Sequence, residues 1–483
     1  MIKKHEIMRQ SLGWLCVLLL CHGCQDPWDE HARDFEGLTN EPLLVRLAAE
    51  PESGTFMELL QASGVDSLLD GTNAYTVFVP ESASLQGGTA ELENDPDALE
   101  RFVKNHIAVS IHRLNASADT VKLTMLSGKI LDFVNSEIDG ASFTRTGQAG
   151  ADGIYHVITA PLTPRQSLWE YMAEHADEAQ QAFILGLNDY NLYDTAYVED
   201  PDDIYLNNEF LREIGDVRDE TQRFTYFVLD DEDFTAEAEA FLPYVNYRNH
   251  PDSSLAVSRF HVVKDLLFDQ TYDVEHLPAV LESRSMVSFP VDKSAISRSV
   301  RLSNGWVHYL DRPTLPIANK LVDIYVQGEE PYGFSASVTE RTFHRVRSDP
   351  NGGLFTDLMV QDHGVSSLTV SYALPRMYST AYDVYWRALN DIQANVFEQR
   401  IGIFGFDLQP SEADPEVQVR PLIYQFPYTD VELNNYDEVY LGEFLLEDYD
   451  RVVAGLQGAA TTANGENTVV LDYLRFVPKL KTD

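Results

Sequence analysis

The chain has 483 residues, of which 77 are Asp or Glu and 35 are Lys or Arg, giving a formal net charge of −42. Hydrophobic residues make up 44% of the chain, enough to bury cores, which argues against a disordered protein. The length predicts about three domains. The negative charge argues against nucleic acid or an anionic lipid surface as the main partner, since both would repel the chain.

Residues 1–23 are predicted to be a lipoprotein signal peptide. A basic start precedes an apolar run from Leu12 to Cys21, which is the pattern of a secretory signal and too short to remain as a membrane span. The segment Cys21–Cys24 that follows resembles a bacterial lipoprotein cleavage site, with Cys24 as the acylated residue. An ordinary signal peptide followed by a chance cysteine is the alternative.

The cysteine count favours lipidation of Cys24. The chain contains three cysteines, and cleavage after Gly23 leaves one, so the mature chain cannot form an internal disulfide. A thioether to lipid explains a lone N-terminal thiol outside the cytoplasm, and two or more acyl chains would make the anchor permanent. The acidic linker, residues 24–37, resembles the surface-export signal of Bacteroidota lipoproteins. We therefore expect the chain to lie on the outer face of an outer membrane.

Three acidic runs are either solvated surfaces or calcium sites. Calcium prefers carboxylate and carbonyl oxygens, but no run has the spaced acidic pattern of a helix–loop–helix calcium loop. We favour solvated surfaces and predict no metal and no cofactor. The runs are Glu199–Asp203, Asp230–Asp233 and Glu447–Asp450.

An internal repeat of about 150 residues occupies the first two thirds of the chain, and repeats of this kind are best sought before anything else. Each copy reads as an amphipathic helix, an apolar strand, a short helix that ends near a histidine, and further strands. A strand that begins with glycine closes each copy and stops at prolines. The matched segments are Tyr75–Ser82 with Phe224–Asp231, Leu99–Ile107 with Leu255–Val262, and Gly153–Val157 with Gly305–Tyr309, which sets His106 opposite His261.

These segments resemble the two characteristic boxes of the fasciclin family. Thr76, Phe78 and Pro80 match the first box, and Gly153, His156 and Pro164 match the second. The second copy keeps Gly305, His308 and Pro316 but carries Leu229 where the first box has proline. The resemblance implies two tandem fasciclin-like domains, residues 38–165 and a divergent copy at 166–316. It also implies an α+β fold and a role in adhesion or binding rather than catalysis.

The histidines of the repeat admit a metal interpretation. His106 with His156, and His261 with His308, could each supply two imidazoles. Zinc needs further ligands, and the sequence has neither an HExxH helix nor a cysteine pair to supply them. We favour a structural role in which each histidine bonds a backbone carbonyl and holds strand to helix.

Residues 317–483 have a different sequence pattern, in which apolar and polar residues alternate as in half-buried strands. Eight or so strands with almost no helix predict an all-β, jelly-roll-like sandwich, and the segment resembles galactose-binding-like modules. Its tyrosines are either core residues or rings on which a sugar stacks. Tyr378, Trp386 and Tyr428 are the better candidates for ligand binding, because they lie near predicted loops.

The predicted function is non-enzymatic binding at the cell surface. The sequence has no nucleophile elbow, phosphate-binding loop or dinucleotide fingerprint, although a glycoside hydrolase needs only two carboxylates and stays a remote alternative. We expect an accessory component of a SusC/SusD-type uptake complex. Its partners would be a TonB-dependent transporter, a SusD-like lipoprotein and glycan, with no nucleic acid. A fasciclin-type adhesin is the alternative.

Overall fold

The computed structural model describes residues 40–87, 92, 94–114, 120–187, 208–248, 250–311, 316–459 and 468–481. Cys24 and the predicted signal peptide and linker lie outside these residues. The chain divides into two compact units, Met1–Ser167 and Leu168–Asp483. The expected boundary at 316/317 falls inside the second unit. Within the described residues, no helix combines the length and the apolar character needed to cross a membrane.

The first unit is built on a seven-stranded sheet with strand order β2-β1-β7-β6-β5-β4-β3, in which β1 and β7 run parallel. Every residue of β1 and β7 is buried, as expected for parallel strands covered on both sides. Its elements are α1 (Leu43–Ala49), α2 (Gly54–Ala62), β1 (Tyr75–Pro80), α3 (Pro96–Lys104), β2 (Ile107–Val109), β3 (Val121–Thr124), β4 (Ile130–Val134), β5 (Glu137–Ile138), β6 (Ala141–Gly150) and β7 (Gly153–Ile158).

The second unit begins with a four-stranded sheet, β12-β13-β8-β9, and a separate hairpin, β10-β11. Strands β8 and β13 run parallel, and β9 pairs antiparallel with β8, which repeats the β1, β7 and β2 arrangement. The elements are α4 (Leu168–Glu174), α5 (Ala179–Gly186), α6 (Glu209–Glu213), β8 (Phe224–Val228), α7 (Asp231–Phe241), α8 (Pro251–Val263), β9 (Leu267–Asp269), β10 (Val280–Glu282), β11 (Ser288–Pro290), β12 (Ile296–Arg301), β13 (Gly305–Leu310) and α9 (Ile317–Lys320).

The rest of the second unit is antiparallel sheet. A four-stranded sheet, β14-β28-β19-β25, and a six-stranded sheet, β15-β18-β26-β20-β23 with β24 beside β20, share one hydrophobic core. The strands are β14 (Ile324–Gln327), β15 (Gly333–Phe334), β16 (Thr342–Ser348), β17 (Leu354–Gln361), β18 (Thr369–Met377), β19 (Ala381–Arg387), β20 (Phe397–Gly405), β21 (Gln409–Pro410), β22 (Gln418–Val419), β23 (Leu422–Gln425), β24 (Thr429–Val431), β25 (Val439–Leu445), β26 (Asp450–Gly458), β27 (Thr468–Leu471) and β28 (Tyr473–Pro478).

An apolar seam joins the repeat copy of the second unit to its C-terminal strands. Phe241 and Tyr244 are buried, and Tyr378 and Tyr449 pack against their cluster. Two backbone hydrogen bonds cross the seam, from Ser379 N to Tyr244 O at 2.8 Å and from Tyr449 N to the carbonyl oxygen of Asn246 at 2.7 Å. These two parts of the second unit are therefore packed together.

The acidic runs have structural roles where the structure describes them. Asp230 caps α7 by accepting from Asp233 N, and Asp231–Asp233 form its first turn, where the helix dipole stabilises negative charge. Asp448 forms an ion pair with Arg248 at 2.5 Å. The run at Glu199–Asp203 lies outside the described residues. In the described part of the chain, no three His, Cys, Asp or Glu side chains gather as a metal site.

Candidate functional site

The first-box threonine fastens two strands together in both copies of the repeat. Thr76 Oγ1 donates to Ser110 O at 2.9 Å and accepts from His112 N at 2.7 Å. Thr225 makes the same two bonds, to Gln270 O and from Tyr272 N, both at 3.0 Å. Phe78 and Pro80 lie further along β1, where both side chains are buried. The first box therefore builds the interior of the sheet.

The glycine of the second box is required because the main chains of two neighbouring strands approach closely. Gly153 opens β7 beside Tyr75, and a Cβ at residue 153 would lie 2.5 Å from the Tyr75 carbonyl oxygen. Gly305 opens β13 beside Phe224, where an added Cβ would also collide with the carbonyl oxygen. Only glycine fits at either position. Pro164 follows β7, and Pro316 stands immediately before α9.

His156 and His308 occupy equivalent places, opposite Phe78 and Phe227. His308 Nε2 donates to Tyr272 O at 2.9 Å, and its Nδ1 accepts from the Ser299 hydroxyl at 2.8 Å. His156 Nε2 faces the backbone carbonyl of His112 at 3.4 Å, and its Nδ1 accepts from a backbone N–H at 3.3 Å. Burial lowers the pKa of His308 and lowers that of His156 to about 4. Both rings are thus engaged with backbone or hydroxyl groups on both nitrogens.

His106 fastens the end of α3 to the chain that follows β7. Its Nδ1 donates to Phe102 O at 2.8 Å, and its Nε2 accepts from Leu162 N at 2.8 Å. The ring is fully buried, and that burial lowers its pKa to about 4. These two hydrogen bonds hold the ring between the end of α3 and the segment after β7.

His261 is not the counterpart of His106, which corrects the sequence alignment. Phe78 N bonds to His106 O in the first copy, whereas Phe227 N bonds to Leu266 O in the second, so Leu266 takes that place. His261 instead lies inside α8, with Nε2 3.4 Å from the Tyr449 hydroxyl and with Nδ1 buried and unpartnered among the residues that the structure describes. α8 (13 residues) is longer than α3 (nine residues), so an alignment that starts from the two helices slips before the following strand. Aligning β9 on β2 would have found this.

The missing first-box proline also has a structural explanation. Leu229 stands in its place, and its backbone N–H, which proline lacks, donates to Gln180 Oε1 at 2.9 Å. Gln180 is buried, and its Nε2 donates to Tyr226 Oη at 2.6 Å and Phe227 O at 3.0 Å. In the second copy, the backbone N–H at this position therefore provides a hydrogen bond to the buried side-chain amide of Gln180.

The three candidate ligand-binding residues lie in three different settings. Trp386 is 1% exposed in the core, so it cannot offer a ring to a ligand, because it shares the inward face of β19 with Val384. Tyr378 is half-buried in the seam, stacked against Tyr449 with ring centroids 6.0 Å apart. Tyr428 is 37% exposed and is the one of the three with an accessible ring.

Tyr428 belongs to the outward side of the six-stranded sheet. The Arg400 guanidinium lies 4.4 Å from the Tyr428 ring centroid, and Arg400 Nε donates to Gln457 Oε1 at 2.7 Å. Ile401 and Ile403 point into the core, so Arg400, Gly402 and Phe404 alternate to the outside. We call the surface formed by Arg400, Gly402, Phe404, Gly455, Gln457 and Tyr428 the glycine face.

Two glycines form the floor of this face. Gly402 and Gly455 pair across β20 and β26, and the Phe404 ring lies over both of them. A Cβ at Gly402 would come within 2.8 Å of the ring, and one at Gly455 within 2.9 Å. A phenylalanine thus lies along the sheet, with amide and guanidinium groups beside it. No sequence motif marks this arrangement, because the two glycines meet only once the strands pair.

The glycine face continues into Arg420 and Arg451, whose guanidinium groups lie over the Phe406 ring. Together with Arg376, whose guanidinium lies over the Tyr247 ring, we call them the arginine cluster. The Arg451 guanidinium lies 3.9 Å from the Phe406 ring centroid, and that of Arg420 lies 5.1 Å from it. Arg376 stands directly opposite Arg451 in the β18–β26 pair. Tyr332, 57% exposed, completes the edge.

The outward side of the four-stranded sheet, the tyrosine face, is organised differently. Tyr325, Arg475 and Tyr385 lie in one row across β14, β28 and β19, and Tyr440 continues it on β25. Arg475 pairs with Glu438 at 2.5 Å and with Asp323 at 3.0 Å. Partial burial alone would raise the pKa of Glu438, but hydrogen bonds from Arg475 and Tyr473 lower it. Charges on this face are already neutralised.

Comparison with known proteins gives one family-model match. Residues 51–164 match the family model described as the fasciclin domain. No curated protein matches the chain.

Two solved structures represent the similarities found. A fasciclin domain pair from the insect cell adhesion molecule fasciclin I is 16% identical over 56% of this chain and 98% of its own, with a TM-score of 0.23. A carbohydrate binding module from Cellvibrio mixtus lichenase 5A, in complex with cellotriose, is 12% identical over 32% of this chain and 98% of its own, with a TM-score of 0.20.

Proposed function

We propose that the protein is a non-catalytic binding protein of the cell surface, which holds glycan on the glycine face of a jelly-roll-like sandwich. The observation that carries the proposal is the Phe404 ring lying over Gly402 and Gly455. The apolar face of a sugar stacks on such a ring, while neighbouring polar groups bond its hydroxyls. Arg400, Gln457 and the exposed Tyr428 supply those groups beside it.

The rest of the chain holds this surface in position at the membrane. The fasciclin domain at residues 51–164 and the repeated strand pairing of the second copy support a tandem fasciclin pair with binding or spacing roles. The signal sequence and Cys24 supply a lipid anchor on an outer membrane of the Bacteroidota type. In this arrangement the protein serves a SusC/SusD-type uptake complex, beside a TonB-dependent transporter and a SusD-like lipoprotein.

Adhesion is the second candidate, and the fasciclin domain itself favours it. The two candidates differ in what accompanies the protein. Purification of the tagged chain from its native outer membrane in mild detergent, followed by mass spectrometry, would recover a stoichiometric transporter if the uptake role holds. Recovery of the chain alone would contradict the uptake role and leave adhesion.

Glycan binding itself is tested by titration calorimetry of the detergent-solubilised full chain against neutral and acidic oligosaccharides. We expect Phe404→Ala to weaken binding about tenfold or more, the effect of losing about 1.4 kcal/mol of stacking. Tyr440→Ala is the matched control, because it removes an exposed ring from the tyrosine face. Equal losses in both variants, or no binding by the unaltered chain, would contradict the proposed site.

A further inference from the structure

The arginines on the two outward faces of the C-terminal sheets differ in whether they form ion pairs with carboxylates. On the tyrosine face, Arg475 pairs with Glu438 and Asp323, and Arg387 pairs with Asp349 and Asp472. On the glycine face and in the arginine cluster, the side chains of Arg376, Arg400, Arg420 and Arg451 form no ion pair with any described carboxylate.

This contrast runs against the composition of the chain. With 77 acidic residues for 35 basic ones, a carboxylate is the commonest neighbour available to an arginine. Arg376 and Arg451 nevertheless stand opposite each other in the strand register, and the Arg376 guanidinium lies over the Tyr247 ring, 5.3 Å from its centroid, rather than beside a carboxylate. A positive group of this kind, kept free of internal carboxylates, is expected where an external anion completes the charge balance.

Among the described residues, no group accepts a hydrogen bond from the guanidinium of Arg420 or Arg451. Arg420 and Arg451 are both placed against the Phe406 ring, at 5.1 and 3.9 Å from its centroid, a contact that uses the guanidinium surface rather than its N–H groups. Arg420 Nη1 is moreover a buried nitrogen with no hydrogen-bond partner in the described structure. A planar anion such as a carboxylate accepts two parallel N–H bonds from such a group.

The cluster lies next to the sugar-stacking ring. Phe404 lies in β20, which ends at Gly405, and Phe406 follows directly after that end. One sugar unit stacked on Phe404 would place the substituent of a neighbouring unit beside Arg451 and Arg420. The stacking position and the charged position are therefore parts of one surface.

We propose that the arginine cluster binds the anionic groups of an acidic oligosaccharide, whose adjoining sugar ring stacks on Phe404; this rests on the glycan-binding function proposed above. The ligand is a short segment rather than a long polyanion. The charge of −42 repels an extended polyanion, whereas at physiological salt charges beyond about 8 Å are screened and the local arginines dominate.

The test uses pairs of oligosaccharides of which one member is acidic and the other is its neutral counterpart. Trigalacturonate and its methyl-esterified form, and a glucuronate-bearing xylo-oligosaccharide and its neutral parent, are titrated into the full chain. We expect each acidic member to bind at least about tenfold tighter than its neutral partner, as for one charge-assisted hydrogen bond. That preference should shrink as salt rises. A sulfated chondroitin disaccharide, run beside its unsulfated form, shows whether sulfate also serves as the anion.

Variants then locate the effect. In Arg420→Gln and Arg451→Gln the preference for the acidic member should fall about tenfold, with neutral binding unchanged. Arg341→Gln, which removes an exposed arginine already paired with Asp362, is the control and should change nothing. Equal binding of acidic and neutral members by the unaltered chain overturns the inference and leaves glycan binding standing. Absence of binding to every oligosaccharide removes the proposed function and this inference together.

Discussion

Gly153 and Tyr75 touch backbone to backbone in the parallel pair at the centre of the first sheet, and Gly305 and Phe224 repeat the contact in the second unit. In each copy the strand that closes the repeat can lie against the opening strand only because its first residue has no side chain. The glycine is thus required by the packing of two main chains and has no direct part in ligand binding.

We expect Gly153→Ala to lower the free energy of unfolding of the first unit by about 1–3 kcal/mol, the usual cost of overpacking. The added methyl would collide with a carbonyl oxygen that cannot move without disturbing the sheet. Gly54→Ala is the control, because its Cβ would meet only Ser82 Oγ at 3.9 Å. Urea unfolding of both variants measures the difference, and equal stabilities would refute the steric explanation.

The buried histidines predict a pH dependence. His106 and His156 have pKa values lowered by burial to about 4, below the ordinary value of 6.5. The unfolded chain therefore binds protons first, so their contribution to stability is complete above pH 6.5 and is lost as pH falls from there towards 4. The loss approaches about 3 kcal/mol for each histidine.

Urea unfolding at pH 7.5, 5.5 and 4.5 measures this loss. Carboxylates titrate in the same range, so His106→Gln is needed as a reference. The variant should be less stable at neutral pH and should lose less on acidification than the unaltered chain. Parallel pH profiles for the two proteins would show that His106 contributes nothing to the acid sensitivity.

The backbone N–H of Leu229 is expected to contribute to the free energy of unfolding separately from the side chain. Leu229→Pro removes the donor to the buried Gln180 amide oxygen, whereas Leu229→Ala keeps it. We expect the proline variant to be less stable than the alanine variant by about 1–3 kcal/mol, the cost of an unsatisfied buried group. In a Gln180→Leu background this gap should narrow, and a gap of unchanged size would argue for strain instead.

Alanine variants of Trp386 and Tyr428 should affect different properties, the first mainly the stability of the fold and the second mainly glycan binding. Trp386→Ala empties a core position and should cost about 3–5 kcal/mol in unfolding free energy. Tyr428→Ala alters an exposed ring, so its stability should stay within about 0.5 kcal/mol while glycan affinity falls. Thermal unfolding and calorimetric titration of both variants give the two quantities. A stable Trp386→Ala protein with weakened glycan binding would reverse these assignments.

Features that depend on residues close together in the sequence could be predicted, whereas features that depend on strand pairing could not. The glycine and histidine of the second box lie four residues or fewer apart on one strand, so their motif predicted their place. His261 was misplaced because its alignment depended on the length of an insertion. Trp386 was expected to bind ligand because it lies near a predicted loop, although it alternates in phase with the buried Val384, a signal that the sequence contains. The floor under Phe404 was not predictable, since Gly402 and Gly455 are brought together by strand register alone.

The seam around Tyr378 and Tyr449 changes what should be produced in the laboratory. A fragment that starts at residue 317 would uncover the partly buried rings of Tyr378 and Tyr449 and lose the backbone bonds from Ser379 and Tyr449. Such a fragment would present a fresh apolar patch to solvent and tend to self-associate. The smallest piece expected to stay monomeric begins at Leu168, so any fragment made to test glycan binding must carry its neighbouring α+β copy with it.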